Sequence, residues 1–433
     1  MKHIVCKLNS GDDFIPEKPV LLIDLTTKDQ FKWTFFNNNK KRYAKFPNFF
    51  SNEALDLFYI SLTVFYADRK VSRKATNDSW TRGLKIYMPV LELEKWNRCK
   101  KTLENLVSFL SGDVWKFEFR KREINDIESE YKKWSEKSPS KYIPNSFCML
   151  SGGLDSFIGA IDLLSEDKNI AFIGHYGGGK GVHEYQNYIK EKLIKEFSVK
   201  EQQFFNFYAA AIGGIENSTR TRSFMYFSHA IILASATKNQ TKLYIPENGV
   251  ISLNIPLTNT RLGSSSTRTT HPYYMRLLQV LLNNLNIKVE LVNPYQFKTK
   301  GEMIEDCKRP KFLKENIAST MSCSHPDQGR YNKEKLPSHC GSCLPCVIRR
   351  ASIEKAYGYD NSSYRVQNFD SGITPPIYLR SYKTGILDYR NNKHSVSFKI
   401  QESGPLVSNL IEYEKLYIRG IEELSSLLDK YGK

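Results

Sequence analysis

The chain has 433 residues, of which 40% are hydrophobic and 25% are charged, an ordinary globular composition that excludes a disordered or fibrous protein. It is long enough for two or three domains, and it has no uncharged apolar stretch of about 18 residues that predicts a transmembrane helix. The N-terminus lacks the apolar core of a signal peptide, so we expect a cytoplasmic protein with no membrane partner. The net charge of +17 is spread along the chain and suits an anionic ligand, an acidic protein or RNA about equally.

Residues 1–140 mix predicted strands and helices and contain no recognisable catalytic cluster. Alternating or clustered apolar residues predict strands at 19–26, 84–90 and 115–119. Apolar residues at helical spacing predict helices over 52–67 and 103–110. We interpret this part of the chain as a separate α+β accessory domain that docks a partner or a substrate.

From about residue 145 onward, predicted strands and helices alternate. The strands are expected at 147–150, 170–174, 204–208, 243–245 and 289–292, and the helices at 157–165, 184–197, 222–238 and 273–285. This order predicts an α/β fold with a doubly wound parallel sheet, whose ligands bind at the carboxyl ends of the strands. We assign residues 145–360 to this domain. Residues 361–433 are expected to be an extension that packs on the core and ends in a helix over 406–431.

The most informative stretch lies between the first predicted strand and helix of this domain. It reads Ser151-Gly152-Gly153-Leu154-Asp155-Ser156. A helix N-terminus offers unpaired N–H groups to an anion, and the two glycines let the backbone approach it closely. The serine hydroxyls can bind the same oxygens, and Asp155 can bind a metal ion or orient the anion. The plainer alternative is an ordinary glycine-containing turn with Asp155 as a helix cap.

A group of cysteines is the second strong signal. Four of the eight cysteines, Cys323, Cys340, Cys343 and Cys346, fall within 24 consecutive residues, 323–346. Three thiolates at this spacing can surround one ion, and the upstream cysteine can return as a fourth ligand. A closed Zn²⁺ site with a structural role is favoured, although an iron–sulfur cluster uses the same ligands and buried free cysteines are the remaining alternative.

The glycine-rich stretch resembles the SGGxDS phosphate loop (PP-loop) of the N-type ATP pyrophosphatases, which have the HUP (adenine nucleotide alpha hydrolase-like) fold. Residues 340–350, which read CGSCLPCVIRR, extend the likeness to the QueC-like (7-cyano-7-deazaguanine synthase-like) family, which carries a four-cysteine zinc site. Shorter matches are Tyr176-Gly177 after the second strand, Arg222 at the opening of a helix, and Lys300 in a TK-x-E stretch. The resemblance covers residues 145–360.

The chain departs from the QueC pattern in three places. About 140 residues precede the loop, His175 and Ser223 replace an aspartate and an asparagine of the family, and its substrate loop is absent. Residues 247–250 and the segment 266–272, which reads STRTTHP, stand there instead. These features resemble the QueC-like proteins of bacterial anti-phage defence, in particular the QatC type of the Qat systems.

This resemblance implies an ATP-dependent ligase or synthase. ATP and Mg²⁺ would bind at Ser151, Gly152, Gly153, Leu154, Asp155, Ser156, Tyr176 and Gly177. A carboxylate on a 7-deazaguanine would be adenylated with release of pyrophosphate, and an amine, expected on a partner protein of the same defence operon, would take the acyl group. Asp155, Arg222 and Lys300 would be the catalytic residues, and Arg268 and His271 are further candidates for the phosphates or the carboxylate.

Three alternatives remain open at this stage. The first is 7-cyano-7-deazaguanine synthesis for the queuosine pathway. The second is a tRNA-modifying PP-loop enzyme of the thiolation kind, which would need Cys148 or Cys307 in the cleft to carry sulfur; nucleic acid is a less favoured partner because the charge is diffuse. The third is a non-catalytic nucleotide-binding scaffold of a defence complex. In each case the cysteine site is expected to stabilise residues 320–350 without touching the phosphate loop.

Overall fold

The computed structural model describes the chain except for residues 28, 37–45, 138–141, 178–179, 256, 258–267, 333, 335 and 432–433, and it describes residues 180 and 330–332 by their backbone alone. In the described residues, two sheets are present. The N-terminal sheet contains β1 (Lys2–Lys7), β2 (Val20–Asp24), β4 (Gly83–Val90) and β5 (Val114–Lys121). The central sheet contains β3 (Phe31–Trp33), β6 (Ser146–Met149), β7 (Ile170–Tyr176), β8 (Phe204–Ala211), β9 (Thr241–Tyr244) and β10 (Val289–Val292).

The N-terminal sheet has the order β2-β1-β4-β5, and every pair in it is parallel. Its helices are α1 (Asn52–Lys70), α2 (Leu93–Ser111) and α3 (Asp126–Glu136). The expectation of an α+β arrangement is therefore wrong, because parallel strands with helices in their connections form an α/β unit. Strands β2, β4 and β5 lie where the apolar pattern predicts them, whereas β1 was not predicted. The parallel pairing was also missed, because a local pattern carries no information on pairing.

Helix α1 joins the two sheets through a shared core. Ser51 caps its N-terminus by accepting a hydrogen bond from the N–H of Ala54 at 3.2 Å. Almost all of the helix is buried, and it packs against α6 (Arg222–Ser235) of the central region. One hydrophobic cluster runs from β1 and β4 through α1 to α6 and β7, and includes Phe58 and Phe207. A helix covered on both sides needs apolar residues around most of its circumference, as α1 has.

The central sheet has the order β10-β9-β6-β7-β8-β3, in which the first five strands are parallel and β3 pairs antiparallel with β8. This confirms the expected parallel sheet. From β6 the chain proceeds through β7 and β8 on one side, and then crosses to β9 and β10 on the other. The carboxyl end of β6 therefore lies at a topological switch point, where crevices form in sheets of this kind. Its other helices are α4 (Leu154–Glu166), α5 (Lys180–Phe197), α7 (Gly249–Leu253) and α8 (Pro272–Asn284).

The remainder of the chain is helical. Its helices are α9 (Lys300–Glu305), α10 (Pro310–Asn316), α11 (Leu344–Tyr357), α12 (Thr374–Asn391), α13 (Val396–Lys399) and α14 (Leu410–Leu428), and short 3₁₀ turns lie at Glu201–Gln203, Ile317–Ser319, Pro326–Asn332 and Lys393–Ser395. Helices α12 and α14 pack with α11 around a core that includes Val347 and Leu416. Across the described ranges, no helix is long and apolar enough to cross a membrane.

Candidate functional site

The Ser151–Ser156 loop lies at the carboxyl end of β6, the switch point of the central sheet. Gly152 has a φ of +89°, a left-handed conformation that favours glycine, and a Cβ there would lie 3.2 Å from the backbone nitrogen of Gln186. Gly153 is the N-cap of α4, and among the described residues no side chain caps it. The N–H groups of the first turn are therefore available to an anion.

The two serines of the loop are linked to one another. Ser151 Oγ donates to Ser156 Oγ at 3.1 Å, and Ser156 Oγ also donates to the carbonyl oxygen of Gly153 at 3.0 Å. The N–H of Gly153 donates to Ser151 Oγ at 3.3 Å. Ser151 is exposed whereas Ser156 is buried, so Ser151 presents its hydroxyl to a ligand and Ser156 holds the turn.

Asp155 lies in the first turn of α4 and is buried. One carboxylate oxygen accepts hydrogen bonds from the backbone N–H and the side-chain Nδ2 of Asn248, at 3.0 and 2.7 Å. The other lies 2.7 Å from Lys300 Nζ. Burial alone would raise the pKa of this carboxyl, but the Lys300 charge and the Asn248 donors hold the pKa below its ordinary value. Asp155 is thus an ionised, oriented carboxylate and not the helix cap of the plainer interpretation.

Lys300 is positioned by the C-terminal part of the chain. It is the first residue of α9, whose N-cap Thr299 and residue Glu302 form a capping box. Glu423 of α14 accepts hydrogen bonds from Thr299 Oγ1 at 2.8 Å and from the N–H of Gly301 at 3.1 Å. The extension after residue 361 therefore helps to fix the lysine that pairs with Asp155.

Glu247 and Asn248 belong to this site, although sequence reasoning did not name them as site residues. They follow β9, the strand next to β6, so the topology brings them beside Asp155. Burial and the neighbouring Asp155 charge raise the pKa of Glu247 well above its ordinary value. The available signal was their place directly after a short apolar strand, where parallel sheets carry functional side chains.

Tyr176 and Gly177 lie at the end of β7, beside the loop. The Tyr176 ring packs against His183 and Tyr208, with centroid distances of 4.3 and 5.4 Å. A Cβ at Gly177 would lie 2.9 Å from the carbonyl oxygen of Ala209, which requires glycine there. Both residues therefore lie at the carboxyl edge of the central sheet, next to the Ser151–Ser156 loop, as predicted.

Arg222 begins α6, after β8, and its side chain is exposed. Burial, together with the charges of His229 and Arg222, lowers the pKa of His175 to about 3. His175 Nε2 lies 3.0 Å from the carbonyl oxygen of Ala209. His175 is therefore a neutral, buried histidine, and Arg222 lies near it at the same edge of the sheet.

Arg268 and His271 have contacts of another kind. Arg268 donates to the carbonyl oxygen of Phe109 at 2.7 Å, and its guanidinium lies 4.7 Å from that ring's centroid. His271 is fully buried and caps α8 by accepting a hydrogen bond from the N–H of Tyr273 at 3.2 Å. These contacts give both residues a structural role between α2 and α8, so we no longer assign them to the phosphates. Residues 266 and 267 of the same segment lie outside the described residues.

Cys148 and Cys307 are both buried in the core of the central region, not exposed in a cleft. Burial raises the pKa of the Cys307 thiol to about 12, and it raises that of Cys148 as well. A sulfur carrier must be an accessible thiolate, so this geometry counts against the thiolation alternative.

The four clustered cysteines form a compact thiol site. Their sulfur atoms all lie within 4.8 Å of one another, and the Cys323–Cys343 and Cys340–Cys346 pairs are 4.0 and 3.9 Å apart. Tetrahedral Zn²⁺ with Zn–S bonds of about 2.3 Å places sulfurs roughly 3.8 Å apart, so this donor set fits zinc. Backbone N–H groups of Cys340 and Cys343 donate to the sulfurs of Cys323 and Cys340, each at 3.3 Å, as expected around thiolates.

The segment that leads into the thiol site is hydrogen-bonded to the Ser151–Ser156 loop, although no contact of the cysteines themselves with the loop is seen among the described residues. The N–H of Met321, two residues before Cys323, donates to the carbonyl oxygen of Gly152 at 2.8 Å. Arg349 of α11 supports this segment through hydrogen bonds to Thr320 Oγ1 at 2.6 Å and to the carbonyl oxygen of Ile317 at 2.8 Å. A metal that orders residues 320–346 therefore also holds the loop.

Comparison of the sequence with protein-family models finds no match, and comparison with curated proteins finds none. The assignment of function therefore rests on the residues and geometry described above.

Proposed function

We propose that this chain is a QueC-like ATP-dependent enzyme of anti-phage defence, acting in the bacterial cytoplasm. In this proposal it adenylates a 7-deazaguanine carboxylate and passes the acyl group to an amine of a partner protein. The observation that carries the proposal is the uncapped α4 N-terminus at the switch point, with Asp155 ion-paired to Lys300 beside it.

The first step requires positioning and charge stabilisation, which this site can supply. A carboxylate oxygen of the substrate attacks the α-phosphorus of ATP, the bond from that phosphorus to the bridging oxygen breaks, and pyrophosphate leaves. The N–H groups at the start of α4 and the Ser151 hydroxyl would hold the departing phosphates. Lys300 and Arg222 would neutralise charge that develops on the phosphate oxygens.

In the second step the partner's amine attacks the acyl carbon, the bond to AMP breaks, and the nitrogen loses a proton. This part of the proposal rests on the resemblance to the defence proteins, and the diffuse positive charge of the chain suits an acidic partner surface.

Mg²⁺ and Zn²⁺ would have different roles. Carboxylate oxygens are the donors that Mg²⁺ prefers, and Asp155 and Glu247 lie together at the loop to hold it. When bound, Mg²⁺ neutralises phosphate charge. The four cysteines leave no open ligand position and would hold Zn²⁺ as a structural ion.

The decisive experiment is pyrophosphate release from ATP, Mg²⁺ and a 7-deazaguanine carboxylate. We expect Asp155→Ala to reduce the rate by at least about 100-fold, the loss typical when a principal electrostatic group of an active site is removed. Asp162→Asn is the matched control, because Asp162 lies on the same helix but binds Tyr295 and the N–H of Lys308 instead. It should retain activity within about twofold.

Intact mass spectrometry of co-expressed partner proteins tests the second step. A mass gain of deazaguanine size on one partner, absent with Asp155→Ala, supports the conjugation. Full anti-phage protection by Asp155→Ala would instead indicate a scaffold, and release of a free nitrile would indicate the queuosine-pathway activity.

A further inference from the structure

The N-terminal sheet has its own switch point. Strand β1 lies between β2 and β4, and the chain runs from β1 to β2 on one side before returning to β4 on the other. In parallel sheets, ligands bind in the crevice at the carboxyl ends of the strands at such a point. Nothing in the sequence pattern of residues 1–140 marks a site there, yet the topology is the same as that of β6 in the central sheet.

A cavity of about 580 Å³ occupies this position. Its lining comes from the carboxyl end of each strand: residues 8–12 after β1, Leu25 and Thr26 after β2, Pro89 at the end of β4, and residues 120–122 at the end of β5. The start of α3 closes another side with residues 124–127. The volume lies within the range of small-molecule sites, about 300–1,000 Å³.

The lining combines aromatic and apolar walls with cationic groups. Trp33 and Tyr59 supply the aromatic surface. Three basic residues, Arg120, Lys121 and Arg122, line it together with the acidic Asp12 and Asp126, and Arg122 also pairs with Glu128 and Asp56 outside the lining. These features favour a ligand with a flat apolar body and an anionic group.

Ion pairs hold Arg120 and Arg122 in place, but not all of their N–H donors have hydrogen-bond partners among the described residues. Asp12 accepts from Arg120 Nη1 at 2.7 Å, and Glu128 accepts from both Nη atoms of Arg122 at 2.8 and 2.9 Å. Their buried Nε atoms, and the buried Oδ1 of Asn9, have no hydrogen-bond partner in the described part of the chain. Buried polar atoms without partners are rare, and here three of them belong to residues that line one cavity. Polar atoms without a protein partner are expected where a ligand supplies the missing hydrogen bonds.

We propose that this cavity is a second ligand site, which binds a mononucleotide or a similarly small anionic heteroaromatic molecule. The aromatic walls would contact the base, and the two arginines, whose Nε donors lack partners within the described ranges, would bind the phosphate. The proposal does not depend on the adenylation reaction proposed for the central sheet.

The test is calorimetric titration of the full chain with GMP, guanosine and inorganic phosphate. Gly11→Phe fills the cavity at a position where a Cβ meets no atom within 4 Å, so the fold is expected to tolerate it. Asp13→Phe is the matched control, because Asp13 is exposed and does not line the cavity. Thermal unfolding by circular dichroism verifies that both variants fold.

We expect GMP binding to weaken at least tenfold in Gly11→Phe and to persist in Asp13→Phe and in Asp155→Ala, which disables the other site. Loss of binding in Asp155→Ala with retention in Gly11→Phe would overturn the proposal, since the phosphate loop would then be the binding site. The absence of GMP binding to the wild type would overturn it as well. Equal affinity for guanosine and GMP would contradict the proposal that the site recognises an anionic group of the ligand. Pyrophosphate release is scored separately, so the two proposals can fail independently.

Discussion

The two sheets have similar strand arrangements but differ in the chain segments that form the surface at the carboxyl ends of their strands. Each is parallel apart from β3 at the edge of the central sheet, each has a switch point, and each places loops at the carboxyl ends of its parallel strands. In the central sheet, six consecutive residues, 151–156, form the main part of the proposed ligand surface. In the N-terminal sheet, the corresponding surface comes from seven separate segments between residues 8 and 127. A site built from one segment leaves a motif in the sequence, whereas a site assembled from dispersed segments leaves none.

The regions also differ in what stabilises them. The phosphate loop is held through Met321 by the segment that carries the thiol site, while the N-terminal region depends on buried ion pairs and on the core that it shares with α6. Three experiments test whether the two regions are stabilised in these different ways.

The largest expected effect follows removal of the metal site. Cys343→Ala, or zinc chelation, should increase hydrogen exchange across residues 320–350 and also in the phosphate loop, because Met321 donates to Gly152. Structural zinc contributes roughly 10–16 kcal/mol in small zinc-finger peptides, so local order should be lost. The N-terminal sheet should be unaffected. The measurement is hydrogen exchange by mass spectrometry together with zinc content.

Cys99→Ala serves as the control for that experiment, since Cys99 is a buried cysteine of α2 outside the thiol site. It should leave exchange in the loop unchanged. Unchanged exchange in the loop after loss of zinc would show that the link through Met321 carries no stability.

The next effect concerns the buried charges behind the N-terminal sheet. Arg82 is 1% exposed, and its Nη2 lies 2.5 Å from Asp68 and 2.6 Å from Asp113. Arg82→Met should lower the free energy of unfolding by about 3–5 kcal/mol, because Arg73 alone among the described residues then remains paired with the two buried carboxylates. Lys85→Met, which removes a partly exposed pair with Glu118, should cost less than about 1 kcal/mol.

Urea unfolding measures both variants. A single transition is expected, because Asp68 also accepts hydrogen bonds from Ser218 and Thr221 near α6 and the core is continuous. Two separate transitions would mean that the N-terminal region unfolds independently.

The smallest effect is a pH dependence. Burial and the neighbouring Arg268 lower the pKa of His271 to about 3, compared with about 6.5 in the unfolded chain. Because His271 stays neutral in the folded protein and becomes protonated in the unfolded chain, the free energy of unfolding is highest above about pH 6.5. It falls by up to about 1.4 kcal/mol per pH unit as the pH decreases toward 3. His271→Asn, which retains a capping oxygen, should flatten the slope between pH 6.5 and 5 in urea titrations. His394→Asn, at an exposed position, should leave the slope unchanged, and an equal change in both variants would contradict the assignment.

Some features of the fold and site are local and could be predicted. Strand β10 lies where the apolar run places it, and the other predicted strands and helices differ from prediction mainly at their ends, as where α2 begins ten residues earlier, at Leu93. Strands β1 and β3 and helix α12 were not predicted. The serine–glycine loop and the close approach of the four cysteines follow from short spacings, within which few arrangements are sterically allowed.

Other features depend on residues that are distant in the sequence. Asn248 donates to Asp155 across 93 residues, and no periodicity indicates that pairing. The parallel N-terminal sheet is of the same kind, since α+β and α/β arrangements can share the same strands and helices. Glu247 was missed because its role arises only when β9 pairs with β6.

The amino-acid sequence by itself determined most strands and helices of residues 145–292, the glycine-rich turn at 151–156 and the four-cysteine group, because each depends on interactions within a few turns of chain. Only the tertiary structure decided that the N-terminal strands are parallel, that Lys300 and Asn248 orient Asp155, that Met321 ties the thiol site to Gly152, and that a cavity opens beside β1. The physical reason is that strand neighbours are selected by packing of the whole core. A contact between distant segments exists only after that selection has been made.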